Sequence, residues 1–348
     1  GAGMAVKRGD GHRIIRWLWT SRRVDARLAR AGLAPLATLW KATAAVRNLA
    51  FDRGWIAARP LPLPAISVGN LTVGGSGKTP VAGWIARFLA ARGARPGILL
   101  RGYGRDEVLV HQHAVPEAIV VANPDRLAGA ERARDEGATI LVMDDAYQRR
   151  DVARDLNVLL VAAEAARAVR WCLPAGPWRE PLNQASRADF VLVTRKRADE
   201  VTAFEVAREI GGLTRAPVGV IHLGVVRYTG MVSGRPRDRE ALAGKRVVAA
   251  SAIADPEAFI AQTKATGAQV QPATWRDHHE FRDEDVAWLA TAARKADHLV
   301  LTEKDAVKLR DRWPASVPEP LVAELEVRWE HGQEEFEARL ADLFRPDR

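Results

Sequence analysis

The sequence has almost no cysteine and no long apolar run. Its 348 residues include a single cysteine, Cys172, which excludes an intrachain disulfide framework. No stretch approaches the run of about 18 apolar residues that a membrane-spanning helix needs, and no secretory signal is evident at the N-terminus. These absences predict a cytosolic protein, and the length predicts two domains.

Positive charge is concentrated at one end of the chain. Residues 1–60 contain twelve Lys or Arg and three Asp, and their net charge of +9 equals that of the whole chain. The remaining residues are therefore neutral overall, and no pattern of basic and aromatic residues typical of a nucleic-acid groove is present. We expect no nucleic-acid partner.

The basic end is also rich in tryptophan, as "RIIRWLWTSRR" (13–23) illustrates. One interpretation is an amphipathic helix that lies in an anionic membrane interface, with tryptophan at headgroup level. The other is an amphipathic helix that packs on its own domain and exposes a basic face. Leu36, Leu39 and Trp40 have the helical spacing that this second interpretation requires.

Short apolar runs separated by helical stretches begin at residue 65 and predict buried parallel strands. Six of them precede residue 200, and a seventh, "PVGVIHL", follows at 217–223. A second series of strands and helices then begins with "KRVVAAS" (245–251). Ligands of such sheets bind at the carboxyl ends of the strands. The six runs span residues 65–68, 96–100, 118–122, 138–143, 156–162 and 189–194.

The stretch "SVGNLTVGGSGKTP" (67–80) lies between a predicted strand and a predicted helix. A glycine-rich turn of this kind binds phosphate through backbone N–H groups and the helix N-terminus. Lys78 is expected to reach the outer phosphates, and the Thr79 hydroxyl to face Mg²⁺. Thr72 stands where the usual spacing has its first glycine. The predicted phosphate-binding residues are Gly74, Gly75, Ser76, Gly77, Lys78 and Thr79.

Two carboxylates follow another predicted strand, in "ILVMDDAYQRR" (140–150). Asp144 and Asp145 would lie at the carboxyl edge of the sheet that carries the phosphate loop. Carboxylates at that position can hold the metal ion that bridges nucleotide phosphates. With Thr79 they form the predicted Mg²⁺ site.

These patterns together predict an α/β protein with a P-loop NTPase-like parallel sheet domain, a second, smaller α/β domain and an N-terminal amphipathic helical segment. We place the helical segment at 1–60, the P-loop domain at 61–230 and the smaller domain at 231–348. A return of the last strand and helix to the P-loop domain is left open.

Six motifs occur in the order and approximate spacing of the tetraacyldisaccharide 4'-kinases, the lipid A kinases of Gram-negative bacteria. The chain resembles this family from about residue 33 to its C-terminus, and Thr72 matches the family's own loop variant. The six motifs are "SVGNLTVGGSGKTP", "RGYG" (101–104), "MDDAYQ" (143–148), "LPAGPWREPL" (173–182), "WRDHHEF" (275–281) and "LTEKDAVKL" (301–309).

The resemblance implies a kinase that transfers the γ-phosphate of ATP, with Mg²⁺, to the 4'-hydroxyl of tetraacyldisaccharide 1-phosphate. It implies a peripheral or monotopic monomer at the cytoplasmic face of the bacterial inner membrane. Its partners would be this lipid A precursor and the anionic lipid surface. The resemblance therefore favours the membrane-interface interpretation of residues 13–55.

Further residue roles follow from the resemblance. Arg126 and Gln148 resemble polar residues near the phosphates, and His278 resembles a general base that Asp106 orients across two domains. Arg101 and Tyr103 match a signature to which we assign no role.

The chain departs from the family where Ala146, Tyr147 and Arg149 replace the usual Gly, Phe and His. Relatives also commonly carry an additional segment before Asp106. Two alternatives stay open: another membrane-associated P-loop ATPase or nucleotide switch, and an inactive kinase relative.

Overall fold

The computed structural model describes residues 10–102 and 105–344. These residues divide into two compact units. The larger unit contains residues 14–102, 105–222 and 327–344, and the smaller unit contains residues 10–13 and 223–326. The chain passes from one unit to the other within two long strands.

The secondary structure alternates between strands and helices after an all-helical start. The helices are α1 (Asp10–Thr20), α2 (Val24–Asp52), α3 (Lys78–Ala90), α4 (Arg105–Ala114), α5 (Arg126–Asp135), α6 (Ala163–Ala166), α7 (Glu200–Gly211), α8 (Pro256–Lys264), α9 (Asp283–Lys295), α10 (Glu303–Leu309) and α11 (Gln333–Leu343). The strands are β1 (Ala65–Asn70), β2 (Pro96–Leu100), β3 (Ile119–Ala122), β4 (Ile140–Met143), β5 (Leu156–Ala162), β6 (Phe190–Arg195), β7 (Val218–Gly230), β8 (Pro236–Asp238), β9 (Arg246–Ser251), β10 (Gln269–Thr274), β11 (His298–Thr302) and β12 (Leu321–His331). Short 3₁₀ helices span Leu182–Arg187, Arg239–Leu242 and Arg310–Arg312.

The larger unit is built on a parallel sheet with strand order β7–β6–β5–β1–β4–β2–β3. Its inner strands are buried along most of their length, because helices cover both faces of a parallel sheet. The six apolar runs before residue 200 form β1 to β6. The predicted α/β class, parallel sheet and N-terminal helix are therefore confirmed.

The strand order decides which loops meet. β1 lies between β4 and β5, and β2 lies beside β4. The loop before α3 follows β1, α4 follows β2, and two aspartates follow β4. Since parallel strands end at the same edge, these three segments lie at one edge of the sheet.

The smaller unit has its own parallel strands, in the order β10–β9–β11–β12. β8 pairs antiparallel with the second half of β7. Helices α8, α9 and α10 belong to this unit, and Trp275, Phe281 and Leu289 are among its buried core residues.

Helix α2 packs in the larger unit with a face of small and polar residues inward. Its buried residues are Ala26, Arg30, Ala37 and Asn48. The opposite face is exposed and apolar. No helix in the described ranges is long and apolar enough to cross a membrane. The exposed stripe consists of Val24, Leu28, Leu39, Val46 and Leu49, which recur at helical spacing.

Candidate active site

The glycine-rich loop joins β1 to α3 in the conformation that its glycines allow. Gly74 and Gly77 have φ angles of 125° and 90°, in the left-handed region that a side chain rarely adopts. Gly77 is the N-cap of α3, and Lys78 is the first residue of the helix. This strand, turn and helix have the geometry in which backbone N–H groups bind phosphate.

Thr72 replaces a glycine without strain, because the first half of the loop is held as an extended segment. Thr72 forms an antiparallel bridge with Trp178. The N–H of Val73 donates to the carbonyl of Pro177 at 2.7 Å. Extended backbone accepts any residue, so a glycine is needed only later in the loop, where φ is positive.

Lys78 lies between two side chains at the edge of the sheet. Its Nζ is 3.4 Å from Asn70 Oδ1 and 3.6 Å from Asp145 Oδ1. Arg179 also donates to Asp145 Oδ1, at 3.1 Å. Asp145 thus holds two cations close to the glycine-rich loop.

Asp144 is fixed at its main chain and at its side chain. Its N–H donates to the Leu99 carbonyl at 3.0 Å, and its own carbonyl accepts from Arg126 Nη2 at 2.8 Å. Its Oδ2 lies 3.3 Å from Thr79 Oγ1 and 3.1 Å from His111 Nε2. The buried carboxylate therefore sits beside the first turn of α3. We call the loop 74–79 with Asp144 and Asp145 the carboxyl-end site.

The candidate ligand atoms at this edge, Thr79 Oγ1 and the Asp144 carboxylate, are oxygens, which suits Mg²⁺ better than transition metals. Among the described residues, no group of three or more His, Cys, Asp or Glu could hold a metal by itself. Mg²⁺ commonly takes one or two carboxylates and completes its shell with phosphate oxygens and water. The Thr79 hydroxyl and the Asp144 carboxylate fit that arrangement.

Arg126 is buried at the start of α5, with 1% of its surface exposed. Burial lowers its pKa to about 10, although the charge of Asp144 opposes the shift. Its Nε and Nη1 have no hydrogen-bond partner among the described residues. A guanidinium that keeps two donor nitrogens unpaired and out of water is costly unless an anion joins them.

Gln148 contributes its amide to a network behind the loop. Its Nε2 donates to the Asn70 carbonyl at 2.8 Å and lies 3.3 Å from Glu180 Oε2. Glu180 is buried and accepts from Asn48 Nδ2 at 2.7 Å, which connects the network to α2. The predicted Gln148 thus lies beside the loop, where it supports β1.

Four polar residues of this region were not predicted from the sequence. Arg179 and Glu180 lie in the quoted motif "LPAGPWREPL", yet we gave them no role. Asn70 follows the apolar run of β1, and its polarity at a strand end was the available signal. His111 had no signal in the sequence, because its contact with Asp144 depends on the packing of α4.

Asp106 and His278 lie in different units. Asp106 is buried in the first turn of α4, in the larger unit. His278, in the smaller unit, has a side chain that is 45% exposed. The neighbouring His279 is bound to Asp285, with 2.9 Å between Nε2 and Oδ2. Burial raises the pKa of Asp285, but hydrogen bonds from His279, the Arg282 N–H and Trp275 outweigh it and leave the pKa below its usual value.

Backbone strain marks two of the predicted site residues. Among the described residues, the non-glycine positions with positive φ are Asp145, at 51°, and His278, at 56°. Side chains rarely adopt this region, and strained residues concentrate at functional sites. Arg101 is exposed in the described chain, and Tyr103 lies outside the described residues.

Comparison with known proteins gives one family over most of the chain. A family model for tetraacyldisaccharide-1-P 4'-kinase matches residues 29–345. A tetraacyldisaccharide 4'-kinase from Anaeromyxobacter sp. is 38% identical over 319 residues, which cover 83% of this chain and 85% of the relative. The corresponding enzyme from Stenotrophomonas maltophilia is 34% identical over 304 residues, covering 81% of this chain and 86% of the relative.

A solved structure shares the fold. LpxK from Aquifex aeolicus, in complex with ATP, matches with a TM-score of 0.72 and 26% sequence identity. The match covers 91% of this chain and 100% of that one. These matches do not favour the alternative of an unrelated P-loop ATPase or switch. The chain therefore belongs to the tetraacyldisaccharide 4'-kinase family, and it is a kinase of lipid A biosynthesis.

Proposed function

We propose that this chain binds ATP at the carboxyl-end site and transfers its γ-phosphate to the 4'-hydroxyl of tetraacyldisaccharide 1-phosphate. The observation that carries the proposal is the convergence of Lys78, Thr79 and Asp144 at one sheet edge, in a chain whose relatives are named for this reaction. Phosphoryl transfer needs mainly positioning and neutralisation of charge, and these residue types supply both.

The phosphates would be bound by the turn from Gly74 to Gly77 and by the N-terminus of α3. Lys78 would neutralise charge on the group in transfer. Arg126 adds a second cation, and its two unpaired buried nitrogens support a phosphate partner. Gln148 supports the loop through its bond to the Asn70 carbonyl.

The metal site would consist of Thr79 and Asp144, with Asp145 as an outer member. Mg²⁺ held there would offset the negative charge of the nucleotide phosphates. Asp144 suits a direct ligand because it is buried and lies beside Thr79. Asp145 is bound to Lys78 and Arg179, so it would hold these cations in place rather than bind the metal alone.

The attacking hydroxyl must lose a proton, and His278 is our proposed base, with Asp106 as the residue that orients it. Histidine suits this task at neutral pH because its ordinary pKa lies close to 7. The strained backbone of His278 and the burial of Asp106 support the assignment. The bond of His279 to Asp285 supports a structural role for that neighbour.

Helix α2 would bring the kinase to its substrate by lying on an anionic membrane surface at the cytoplasmic face. Leu28, Leu39 and Val46 are between 62% and 68% exposed on one face of the helix. Exposed apolar stripes flanked by basic residues are typical of interfacial helices. Arg27 and Lys41 are exposed on the same helix and would contact lipid headgroups.

Transfer of radiolabel from γ-labelled ATP to purified tetraacyldisaccharide 1-phosphate in detergent micelles tests this function. We expect labelled lipid to form only when Mg²⁺ is present, and chelation to stop its formation. Release of labelled phosphate with no labelled lipid would contradict the proposal and favour an ATPase.

A further inference from the structure

His111 is a buried histidine on α4 that none of the roles above uses. Its surface exposure is 0%, and its Nε2 lies 3.1 Å from Asp144 Oδ2. Its Nδ1 has no hydrogen-bond partner among the described residues. Burying an imidazole with one nitrogen unpaired is unfavourable, and an aliphatic side chain would fill the same space at lower cost. Among the described residues, the contact with Asp144 is thus the one polar interaction of this side chain.

The contact has a defined chemical direction. An ionised carboxylate only accepts hydrogen bonds, so the proton of the pair belongs to His111 Nε2, and the imidazole donates to Asp144. The Thr79 hydroxyl, which would itself bind the metal ion, also donates to Asp144 Oδ2, at 3.3 Å. Of these two donors, His111 is the one that would not bind the metal ion.

The rest of Asp144 is fixed by other elements. β2 holds its N–H through the Leu99 carbonyl, and Arg126 holds its carbonyl. Neither bond restricts rotation of the carboxylate about its side-chain torsions. The bond from His111 does restrict this rotation. His111 is itself held in place, because α4 packs against α3, the helix that begins at Lys78.

We propose that His111 is a positioning residue that sets the orientation of the Asp144 carboxylate and so raises the affinity of the site for Mg²⁺-nucleotide. This inference rests on the proposed role of Asp144 as a metal ligand. Partners that hydrogen-bond to metal ligands commonly change metal affinity by about 10- to 100-fold when they are removed. His111 would not touch the nucleotide or the acceptor.

The test measures binding of the non-hydrolysable analogue adenylyl imidodiphosphate by calorimetry, in the full chain, over a series of Mg²⁺ concentrations and in EDTA. We expect His111→Leu to raise the Mg²⁺ concentration for half-maximal binding about 10- to 100-fold, with little change in EDTA. His111→Gln, whose amide nitrogen can reach the place of Nε2, should stay within about threefold of the unmodified chain. His113→Leu is the matched control, since His113 is exposed on the same helix.

The shorter amide in His111→Asn keeps the proposal testable if the leucine variant does not fold. We expect His111→Asn to need a higher Mg²⁺ concentration for half-maximal nucleotide binding than His111→Gln. Equal Mg²⁺ dependence of these two variants would overturn the proposal. A folded His111→Leu chain with unchanged Mg²⁺ dependence, or with the same loss of binding in EDTA, would also overturn it. Asp144→Asn distinguishes failure of the His111 proposal from failure of the proposed metal site. If this variant leaves the Mg²⁺ dependence of binding unchanged, the metal site itself is wrongly assigned.

Discussion

Two regions depart from the usual distribution of side chains, in which apolar groups are buried and polar groups are exposed. They are the surroundings of the carboxyl-end site, and helix α2. Around the site, polar groups are buried: His111 is 0% exposed, Arg126 1% and Asp144 4%. On α2, apolar groups are exposed, including Leu28 at 68% and Val46 at 65%. Buried charge and exposed apolar surface both cost stability in water, so each indicates a partner that folding alone does not supply. The partner of the site would be phosphate and metal, and that of α2 would be lipid.

The two regions are also physically connected. Asn48, on the buried face of α2, donates to Glu180, and Gln148 links Glu180 to the end of β1. Trp40 donates its indole N–H to the Arg179 carbonyl at 2.9 Å. We nevertheless expect their functions to separate. Variants at the site should change turnover without changing vesicle binding, and variants of the exposed stripe should do the reverse.

The largest effect is expected at the proposed base. His278→Ala and Asp106→Ala should each lower turnover by about 10²–10⁴ with little change in ATP affinity, because removal of a general base leaves nucleotide contacts intact. The double variant should be no worse than the poorer single one, since the two would act as a unit. Steady-state transfer of label to lipid measures this. If His279→Ala were the damaging change and His278→Ala harmless, we would have chosen the wrong histidine.

A loss of about a hundredfold or more is expected from Lys78→Ala, which removes the cation that would neutralise negative charge on the group in transfer. Asp144→Asn should lower turnover similarly by weakening Mg²⁺ binding. Both variants should float with vesicles as the unmodified chain does. Near-normal turnover of folded Lys78→Ala would refute the assignment of the loop.

The apolar stripe provides the next test. Serine at Leu28, Leu39 and Val46 should lower partition onto phosphatidylglycerol vesicles by about tenfold or more per residue, because each side chain contributes at least about 1.5 kcal/mol when buried in an apolar phase. Nucleotide binding should not change. Flotation measures the partition, and Val201→Ser is a matched control because Val201 is 69% exposed on α7. Unchanged flotation of the serine variants would contradict the proposal that the stripe binds lipid.

The basic residues should contribute less to vesicle binding than the apolar stripe does. Arg22→Glu with Arg27→Glu should weaken vesicle binding, since each basic residue near an anionic leaflet contributes about 1 kcal/mol. The effect should shrink as salt rises, because exposed charges are screened beyond about 10 Å at 0.1 M ionic strength. Equal binding to neutral and anionic vesicles would contradict an electrostatic contribution.

The smallest effect concerns how α1 and α2 are joined. Arg30 is buried and donates to the carbonyls of Leu18 and Ser21 at 2.6 and 2.9 Å. Arg30→Met should lower the free energy of unfolding by about 1–3 kcal/mol, because these carbonyls would lose a charged donor. Thermal unfolding measures the change. Arg132→Met, at an exposed pair with Glu136, is the control and should change stability by no more than about 0.5 kcal/mol.

Local sequence was enough to predict the strands and the loop, because both depend on short-range physics. Continuous apolar runs indicate strands that are buried on both faces, and β1 to β6 lie where those runs lie. The conformation of Gly74 and Gly77 likewise follows from their missing side chains. Thr72 was harder, since its extended conformation depends on Trp178, a residue far along the chain.

The sequence by itself determined the class of fold, the phosphate loop, the paired aspartates and an amphipathic N-terminal helix, because residue type and spacing suffice for each. Only the tertiary structure decided which face of that helix packs, since Asn48 and Arg30 face inward through partners elsewhere in the chain. It also decided that His111 meets Asp144. Periodicity can reveal that a helix has two faces, but distant contacts determine which face is buried and which side chains meet across the fold.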